Sequence, residues 1–522
     1  MKTSRLNLLQ RLLGIACSLS FILSLHGQNV GKESLPVPAP SLPVETSQQS
    51  DYLKSFDWMV KTFEENDAGF KYYLEAKGAD NLAQHTAIYR AKMQQAKTEK
   101  ECLSLMNDWL NYFRKGHTGV MLKAADPILS KSTSLSESDK DSIRAQFANE
   151  ERVDITEPEF AAYLQKNKNT IDPIEGVWKT ANNTIGIIRS KSDANKFDLF
   201  VIKADSIFWM PGQKRGELTL QKDGTWAGTF SKKDHSKMEM VIKWVGSSHG
   251  IISMPDFLLW VKQSPKVQFS ANESLLAQFV LATQPFIKRL SASTLYLRLP
   301  SFWLDQKEKI DKLLSDNDWL IRSTPNLIID IRNGTGGSDC SHQGLIPYYY
   351  TQPIRLMGQT YLATTINAEA YEGYAKSHKD SSSAMNCNNI AERMRKNIGE
   401  YLDFDSNVGI INSFKRSTYP SKVAILCNRN NASADEQLLY AARQSYKVKI
   451  FGEPTSGAFD FSNVNVIDFP NGKYVLWVAM TASKRYPTYK IDDIGIQPDF
   501  FIDSSIKPEN WIDFVQSTIE AQ

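Results

Sequence analysis

Ser433 lies where an apolar run ends and a helical pattern begins. Residues 422–427 are typical of a buried strand, the polar run 428–432 follows, and apolar spacing predicts a helix over 433–444. A serine at such a junction sits at the positive end of the helix dipole, among backbone N–H groups that lack partners inside the helix. That setting favours an oxyanion beside the hydroxyl. Serine is also a preferred helix N-cap, so the position alone leaves both interpretations open.

A glycine-rich loop follows a second apolar run. Residues 326–332 predict a buried strand, and residues 334–337 read Gly-Thr-Gly-Gly. Small residues let the backbone approach a ligand and aim its N–H groups there. The loop does not match a phosphate-binding loop, because no Gly-Lys-Ser or Gly-Lys-Thr follows it. It is either an ordinary turn or one side of an oxyanion site.

The elements that must position these residues change character along the chain. Helical spacing of apolar residues predicts an N-terminal helical region over 51–170. Short β-type runs with turn signals between them predict an antiparallel β domain over 171–265, with its tryptophans in the core. Strands alternate with helices from residue 294 onward, so an α/β core is predicted over 290–522. A chain of 522 residues has room for these parts in an α+β, multidomain fold.

Five sequence blocks, in this order, resemble the tail-specific (C-terminal processing) proteases. The blocks are residues 296–302, 327–337, 431–436, 452–457 and 495–499. The resemblance implies a ClpP/crotonase-like fold for the core, serine peptidase activity and Ser433 as the nucleophile. Many relatives carry a PDZ domain where this chain has its β domain, and the β domain does not resemble one.

The general base is where the chain departs from part of this family. The Ser-Lys branch carries a lysine directly after its Gly-Glu-x-Thr-x-Gly run, and this chain has Ala458 there. The tricorn-like branch instead uses a histidine from the N-terminal part, and the resemblance puts His117 in that place. Imidazole, with an ordinary pKa of about 6.5, suits proton transfer at neutral pH. A lone histidine can equally be a surface or cap residue, and His342 is the other candidate near the glycine loop.

Two carboxylates are expected to support this pair. The resemblance implies an acidic residue near the C-terminal end that orients the histidine, which is Asp492, with Asp493 as the neighbouring alternative. Glu436, one helical turn after Ser433, projects to the same side of that helix and matches a glutamate of the Ser-Lys branch. We expect Glu436 to have a supporting role.

The oxyanion hole is expected from the backbone. The N–H of Ala434, together with that of Gly336 or Gly337, would hold the charge that forms when Ser433 attacks a peptide carbonyl. A peptide or protein is therefore the expected substrate. Two alternatives stay open: a catalytically inactive peptide- or lipid-binding protein of the same fold, and an esterase. The α/β-hydrolase version is disfavoured because no Gly-x-Ser-x-Gly surrounds Ser433.

Composition argues against several other function classes. The chain has 61 Lys and Arg residues against 58 Asp and Glu, a formal charge of +3 without a basic stripe, which disfavours nucleic acid as a partner. No His-Glu-x-x-His or comparable ligand spacing occurs, so no metal and no cofactor is expected. Cys102, Cys340, Cys387 and Cys427 form no zinc or disulfide pattern, although a Cys340–Cys387 bridge is compatible with export.

The N-terminus has the architecture of a signal peptide. Basic residues within 1–11 precede an apolar run over 12–25, which is shorter than the roughly 20 residues that a membrane-spanning helix needs. We predict a signal peptide over 1–27, a Pro-rich linker over 28–50, and export to the periplasm or the extracellular space with no membrane span in the mature protein. Lipid anchoring through Cys17 is disfavoured because the apolar run continues past it.

Overall fold

The structure, a computed structural model, describes residues 47–123, 137–204, 206–233, 235–254, 258–377, 381–404 and 406–521. The predicted signal peptide (1–27), Cys17 and most of the predicted linker (28–50) lie outside these ranges. Within them, no helix is both long enough and apolar enough to cross a membrane. The first described helix begins at Ser47, before the predicted start of the folded part at residue 51.

The N-terminal helices pack on a β-sheet of the catalytic core. They are α1 (Ser47–Asn66), α2 (Phe70–Lys77), α3 (Ala79–Met93) and α4 (Glu99–Leu110), followed by strand β1 (Gly119–Leu122). Their apolar faces bury Phe56, Phe63 and Trp109 in one hydrophobic cluster with Leu476 and Val478 of that sheet. Because this cluster is shared, the first half of the predicted helical region is part of the core rather than a separate unit.

Two further helices belong to the β domain instead. They are α5 (Glu137–Gln146) and α6 (Glu157–Lys166). Ile143 of α5 packs with Trp209, and Phe160 of α6 packs with Phe200 of the β domain. The predicted helical region over 51–170 is therefore divided between two hydrophobic cores.

The predicted antiparallel β domain is a closed barrel. Its strands are β2 (Gly176–Lys179), β3 (Thr184–Arg189), β4 (Lys196–Lys203), β5 (Lys214–Leu220), β6 (Trp226–Ser231), β7 (Lys237–Trp244), β8 (Ile251–Met254) and β9 (Leu258–Ser264). Each strand pairs with the next, and β9 pairs with β2. Side chains including Trp178, Trp226 and Trp260 fill the interior, as expected for a barrel of this size.

The catalytic sheet has the order β10, β11, β12, β17, β18, β21. Its strands are β10 (Phe286–Arg289), β11 (Thr294–Arg298), β12 (Asn326–Asp330), β17 (Lys422–Cys427), β18 (Val448–Gly452) and β21 (Phe500–Phe501). Strands β11, β12, β17 and β18 are parallel, and Asp330 at the end of β12 lies opposite Leu426 of β17. Parallel strands end at one edge of the sheet, so the glycine loop after β12 and Ser433 after β17 lie side by side.

A second, antiparallel sheet carries the N-terminal part of the site to this edge. It contains β1, β14 (Gln359–Leu362), β15 (Tyr401–Asp403), β19 (Phe461–Asp468) and β20 (Tyr474–Ser483), while β13 (Ile354–Met357) and β16 (Val408–Ile411) form a separate pair. Strands β1 and β19 both pair with β20. His117, two residues before β1, is thereby held close to Phe461 at the start of β19.

The remaining helices pack on the two sheets and on the β domain. They are α7 (Ala271–Leu281), α8 (Lys307–Asp316), α9 (Asp318–Arg322), α10 (Ile346–Tyr349), α11 (Thr365–Ser377), α12 (Ser381–Lys396), α13 (Ala434–Ala442) and α14 (Trp511–Ala521). Leu438 of α13 packs with Ile329 and Ile425 in the central cluster. The predicted combination of an α/β core, N-terminal helices and an antiparallel β domain is confirmed. Cys340 and Cys387 are not joined by a disulfide, so the bridge considered for them is not formed.

Candidate active site

Ser433 occupies a strained backbone conformation at the junction of β17 and α13. Its φ of 55° and ψ of −113° fall outside the regions that residues with side chains normally adopt. Such strain costs on the order of 1–3 kcal/mol and persists only where the surrounding structure enforces it. Ser433 is buried, and its backbone N–H donates to Glu436 Oε2 at 2.9 Å. The strand-to-helix junction predicted from the sequence is present, and it is a tight one.

The Glu436 carboxylate anchors the start of α13 to the loop that follows β18. Oε2 accepts from the N–H groups of Ser433 and Ala458, both at 2.9 Å. Oε1 accepts from Thr455 Oγ1 at 2.6 Å and from the Gly457 N–H at 2.8 Å. Burial raises the pKa of Glu436, and these hydrogen bonds oppose the rise. Glu436 therefore fixes two backbone segments relative to each other.

Ala458 stands where the Ser-Lys branch carries its lysine, and Gly116 occupies the space beside it. A Cβ atom on Gly116 would lie 2.4 Å from Ala458 Cβ and 3.0 Å from its Cα, so the two backbones touch. Ala458 and Ser433 donate to the same oxygen of Glu436. Through this contact, the segment that carries His117 packs against the loop after β18, which Glu436 links to the backbone of Ser433.

His117 is buried, and one of its ring nitrogens bonds to a backbone carbonyl. Its φ is 57°, its exposed fraction is 2%, and its Nδ1 hydrogen-bonds with the carbonyl oxygen of Phe461. A carbonyl can only accept, so Nδ1 carries the proton and Nε2 of the neutral ring has the lone pair. Burial lowers the pKa of His117 to about 4, and the charge of Arg114 adds to this, while the Phe461 carbonyl opposes it. The ring is neutral at pH 7.

A buried ion pair holds the backbone of His117. Arg114 pairs with Asp67, and both side chains are fully buried. Its guanidinium also donates to the carbonyl oxygens of Gly116 at 3.0 Å and His117 at 3.2 Å. Asp67 in turn accepts from the N–H groups of Gly69 and Ala479, at 2.9 and 2.8 Å. Sequence reasoning missed this pair, because no local pattern joins residues 47 positions apart.

Asp492 does not orient His117 in the way the sequence predicted. Its Oδ1 accepts from the N–H groups of Phe459 and Asp460, while the Phe461 carbonyl takes the place beside Nδ1 of the histidine. Burial raises the pKa of Asp492 to about 8, and the neighbouring charge of Asp460 adds to the rise. Asp492 therefore fixes the backbone just before Phe461, and acts on the histidine only through it.

Asp493, the alternative to Asp492, contacts the segment just before His117. Its Oδ1 accepts from the Lys115 N–H at 3.1 Å, and its Oδ2 lies 3.3 Å from Lys490 Nζ. Like Asp492, it contacts the backbone that leads to the histidine rather than the imidazole.

The glycine loop presents one N–H group toward the site and uses the other for its own support. Gly336 N–H donates to Asp435 Oδ2 at 3.2 Å, whereas the N–H groups of Gly337 and Ala434 have no acceptor within the described residues. A Cβ on Gly336 would lie 2.9 Å from Ser433 Cβ and 3.4 Å from the Ala434 nitrogen, so loop and nucleophile are in contact. Of the two glycines considered, Gly337 is the one left to donate to an oxyanion.

Gly337 also has a conformation and a neighbour that require glycine. Its φ is 135°, and a Cβ atom would lie 2.2 Å from the carbonyl carbon of Phe302. The flanking bonds from Phe302 N–H to Gly336 O, at 3.3 Å, and from Ser338 N–H to Phe302 O, at 2.8 Å, pin the loop to the segment after β11.

Asp435 is a second residue that sequence reasoning missed. Its buried Oδ2 accepts from Asn431 Nδ2 at 2.9 Å and from the Ala432 N–H at 3.3 Å, besides Gly336. Burial raises its pKa to about 7, and these hydrogen bonds oppose the rise. An acidic residue in the first turn of a helix is common because it complements the dipole, so nothing local distinguishes it. Its role depends on the glycine loop, which is 99 residues away in sequence.

His342, the other histidine near the loop, packs against Phe302. The two ring centroids are 5.4 Å apart in an edge-to-face arrangement, and His342 is 5% exposed. Neither of its ring nitrogens makes a hydrogen bond to any part of the chain that the structure describes. The nearest carboxylate to its ring is Asp339, whose Oδ1 lies 3.8 Å from Nε2. Across the same ranges, no group of His, Cys, Asp and Glu side chains could hold a metal ion.

Comparison with known proteins identifies one family. Residues 293–502 match the model of peptidase family S41, a stretch that includes Ser433, the glycine loop and Asp492 but not His117. Among curated proteins, none matches the chain.

Several solved structures are similar at low identity. Mature CPAF complexed with lactacystin is 12% identical, with 90% of this chain and 97% of that chain covered and a TM-score of 0.46. A putative peptidase from Parabacteroides merdae is 13% identical, with coverages of 91% and 96% and a TM-score of 0.38. The photosystem II D1 C-terminal processing protease is 14% identical, with coverages of 89% and 95% and a TM-score of 0.35.

Proposed function

Because residues 293–502 match the model of peptidase family S41, we propose that the chain is a serine endopeptidase with Ser433 as nucleophile and His117 as general base. The observation that carries this proposal is the setting of Ser433. A strained serine at a strand-to-helix junction is followed by Ala434 and contacts the glycine loop at Gly336, and the N–H groups of Ala434 and of the next loop residue, Gly337, have no acceptor in the described ranges. Such a pair of donors suits the negative charge of a tetrahedral intermediate.

In the proposed reaction, Ser433 Oγ attacks the carbonyl carbon of a peptide bond. Its proton passes to Nε2 of His117, and the carbonyl oxygen becomes an oxyanion held by the N–H groups of Ala434 and Gly337. Collapse of the intermediate breaks the C–N bond, and His117 returns the proton to the leaving amine. Water then attacks the acyl-enzyme by the same route, with His117 as base, and releases the second product.

The environment of His117 fits this proton transfer in two ways. The Phe461 carbonyl selects the tautomer with the proton on Nδ1, which is the form that can accept a proton at Nε2. The low pKa of the buried ring keeps it neutral before substrate attack. A developing oxyanion close to the ring would raise that pKa during the reaction, because an opposite charge nearby favours the imidazolium.

Export and substrate class are part of the same proposal. The basic and apolar segments at the start of the sequence support export to the periplasm or the extracellular space. The resemblance to tail-specific proteases supports cleavage within peptide or protein chains.

Hydrolysis by purified variants tests the assignment. With unfolded casein as substrate, we expect Ser433→Ala to lower kcat/KM by at least about a thousandfold without unfolding the protein. Ser323→Ala, at an exposed serine whose hydroxyl bonds to the Leu320 carbonyl, is the matched control and should retain activity. Full activity of Ser433→Ala would refute the nucleophile assignment. Casein binding without hydrolysis by the wild type would favour the inactive peptide-binding alternative, and cleavage of an ester substrate alone would favour the esterase.

A further inference from the structure

A cavity lies at the end of the catalytic sheet opposite to Ser433. It has a volume of about 280 Å³ and is lined by Ser421, Lys422, Val423, Tyr446, Lys447, Lys449 and Ile519. These residues surround the starts of β17 and β18, whereas Ser433 follows the end of β17. A six-residue strand is roughly 20 Å long, so this cavity is separate from the peptidase site.

Lys447 is the unusual residue in this cavity. It is 8% exposed, and its Nζ is buried without a hydrogen-bond acceptor anywhere in the described ranges. No carboxylate of those ranges forms an ion pair with it. Burial lowers its pKa to about 8, and the positive charges of Arg416 and Arg322 add to this. An ammonium group in such a place is costly unless a partner of opposite charge binds to it.

The surroundings of Lys447 are basic as well. Lys422 Nζ donates to the Ile519 carbonyl at 2.9 Å, and the exposed Lys449 has no ion-pair partner among the residues that the structure describes. The guanidinium of Arg416 lies over the ring of Tyr446, at 4.7 Å from its centroid. The cavity thus gathers several cations around one buried ammonium group.

Arg322 is the member of this basic group that has an acidic neighbour. Its Nε donates to the Asp318 carboxylate at 2.8 Å, and Tyr348 also donates to that carboxylate. Asp318 is therefore already shared by two donors and does not offset the charge of Lys447.

We propose that this cavity is a binding site for a small oxyanion of the phosphate or phosphomonoester class. The oxyanion would lie on Lys447 Nζ, with Lys422 and Lys449 as further donors. A doubly charged group with several acceptor oxygens matches three ammonium groups better than a monocarboxylate does, since each ammonium has three protons to donate. The cavity has a volume of 280 Å³, and one molecule of liquid water occupies roughly 30 Å³. The cavity can therefore hold a phosphate ion together with the water molecules that contact it.

Inorganic phosphate is the probe for the first experiment. Isothermal titration calorimetry of the purified chain, against chloride at matched ionic strength, should give saturable one-to-one binding, and phosphate should raise the Tm. Lys447→Met should abolish the binding while the protein stays folded, because methionine removes a buried cation and keeps most of the side-chain volume. Lys61→Met, at an exposed lysine on α1, is the control and should bind phosphate as the wild type does.

A second variant keeps the test valid if Lys447→Met fails to fold. Lys449→Gln, at an exposed position, should weaken phosphate binding about two- to fivefold. Equal binding by wild type and Lys447→Met, or a phosphate response no larger than that of chloride, would overturn the proposal and leave an adventitious ion only.

Vesicles distinguish free phosphate from a lipid headgroup as the source of the anion. Co-sedimentation with phosphatidylcholine vesicles that contain phosphatidic acid, lost in Lys447→Met and absent with phosphatidylcholine alone, would identify the headgroup. Binding of inorganic phosphate without co-sedimentation would identify the free anion. Since the cavity lies apart from Ser433, Lys447→Met should retain the wild-type rate of casein hydrolysis, so the two proposals can fail independently.

Discussion

Ser433 and His117, the two residues proposed to react, share one backbone feature and differ in what enforces it. Their φ angles are 55° and 57°, both in the left-handed region that residues with side chains rarely adopt. On the serine side, buried carboxylates accept from backbone N–H groups. On the histidine side, a buried guanidinium donates to backbone carbonyl groups. Negatively charged groups therefore hold the backbone at Ser433, whereas a positively charged group holds the backbone at His117.

The difference has a consequence for sequence analysis. Glu436 is three residues from the serine whose N–H it binds, so its role follows from helix geometry. Arg114 is also close in sequence to His117, but it is held in place by Asp67, on a different helix. The nucleophile's support is therefore mostly local, and the base's support depends on how the N-terminal helices pack against the catalytic core.

Removing the negative charge of Asp67, which pairs with Arg114 on the histidine side, should have the largest effect on stability. Asp67→Asn leaves Arg114 buried without its countercharge, and we expect the free energy of unfolding to fall by about 3–5 kcal/mol. The matched control is Asp57→Asn, which breaks an exposed pair with Arg90 and should cost less than about 1 kcal/mol. Urea unfolding of the variants measures both. Equal effects would show that the buried pair does not hold the histidine segment.

Removing the negative charge of Glu436, on the serine side, should have a smaller effect on stability. Glu436→Gln places an amide N–H₂ against backbone donors, and we expect a loss of about 1–3 kcal/mol in the free energy of unfolding. The turnover of any remaining folded protein should also fall, because Ser433 and Ala458 lose their common acceptor.

Glu159→Gln is the control for that variant. Glu159 Oε2 accepts from the N–H of Thr156 at the start of α6, as Glu436 Oε2 does from the N–H of Ser433, but Glu159 is exposed. Loss of this hydrogen bond should leave the free energy of unfolding nearly unchanged. Activity of Glu436→Gln equal to that of the wild type would contradict the positional role of Glu436.

The pH dependence of hydrolysis should distinguish a buried base from an exposed one. A protonated imidazole has no lone pair to accept the serine proton, so kcat/KM should fall as the pH decreases through the pKa of His117. Because that pKa is lowered to about 4, the acidic limb should lie near pH 4 rather than near the ordinary value of about 6.5. A limb near 6.5 would indicate an exposed histidine, and one near 7 would implicate the ionisation of Asp435.

Part of this structure could be predicted because it depends on local pattern. The junction at Ser433, the glycine loop after β12 and the antiparallel β domain all follow from runs of apolar residues and turn signals. The closure of that domain into a barrel does not, since it depends on the pairing of β9 with β2, which joins the two ends of the domain. The division of the helical region between two cores was likewise not visible in its apolar spacing.

The group that bonds to the His117 imidazole could not be predicted from the sequence either. Asp492 was expected beside His117 because an acidic residue usually orients such a ring. In the structure, the carbonyl of Phe461 has that position, and Asp492 supports the backbone that leads to it. Every residue but proline has both a carbonyl and an N–H group, so sequence cannot indicate which backbone group replaces an expected side chain.

Labelling by a fluorophosphonate probe tests the Ser433–His117 pair most directly, because it needs no knowledge of the substrate. The probe forms a covalent bond with an activated serine, and peptide mass spectrometry locates it. We expect the wild type to be labelled at Ser433, and His117→Ala to be folded but labelled at least about a hundredfold more slowly. Absence of labelling at Ser433 in the wild type, or an unchanged rate in His117→Ala, would contradict the proposed mechanism.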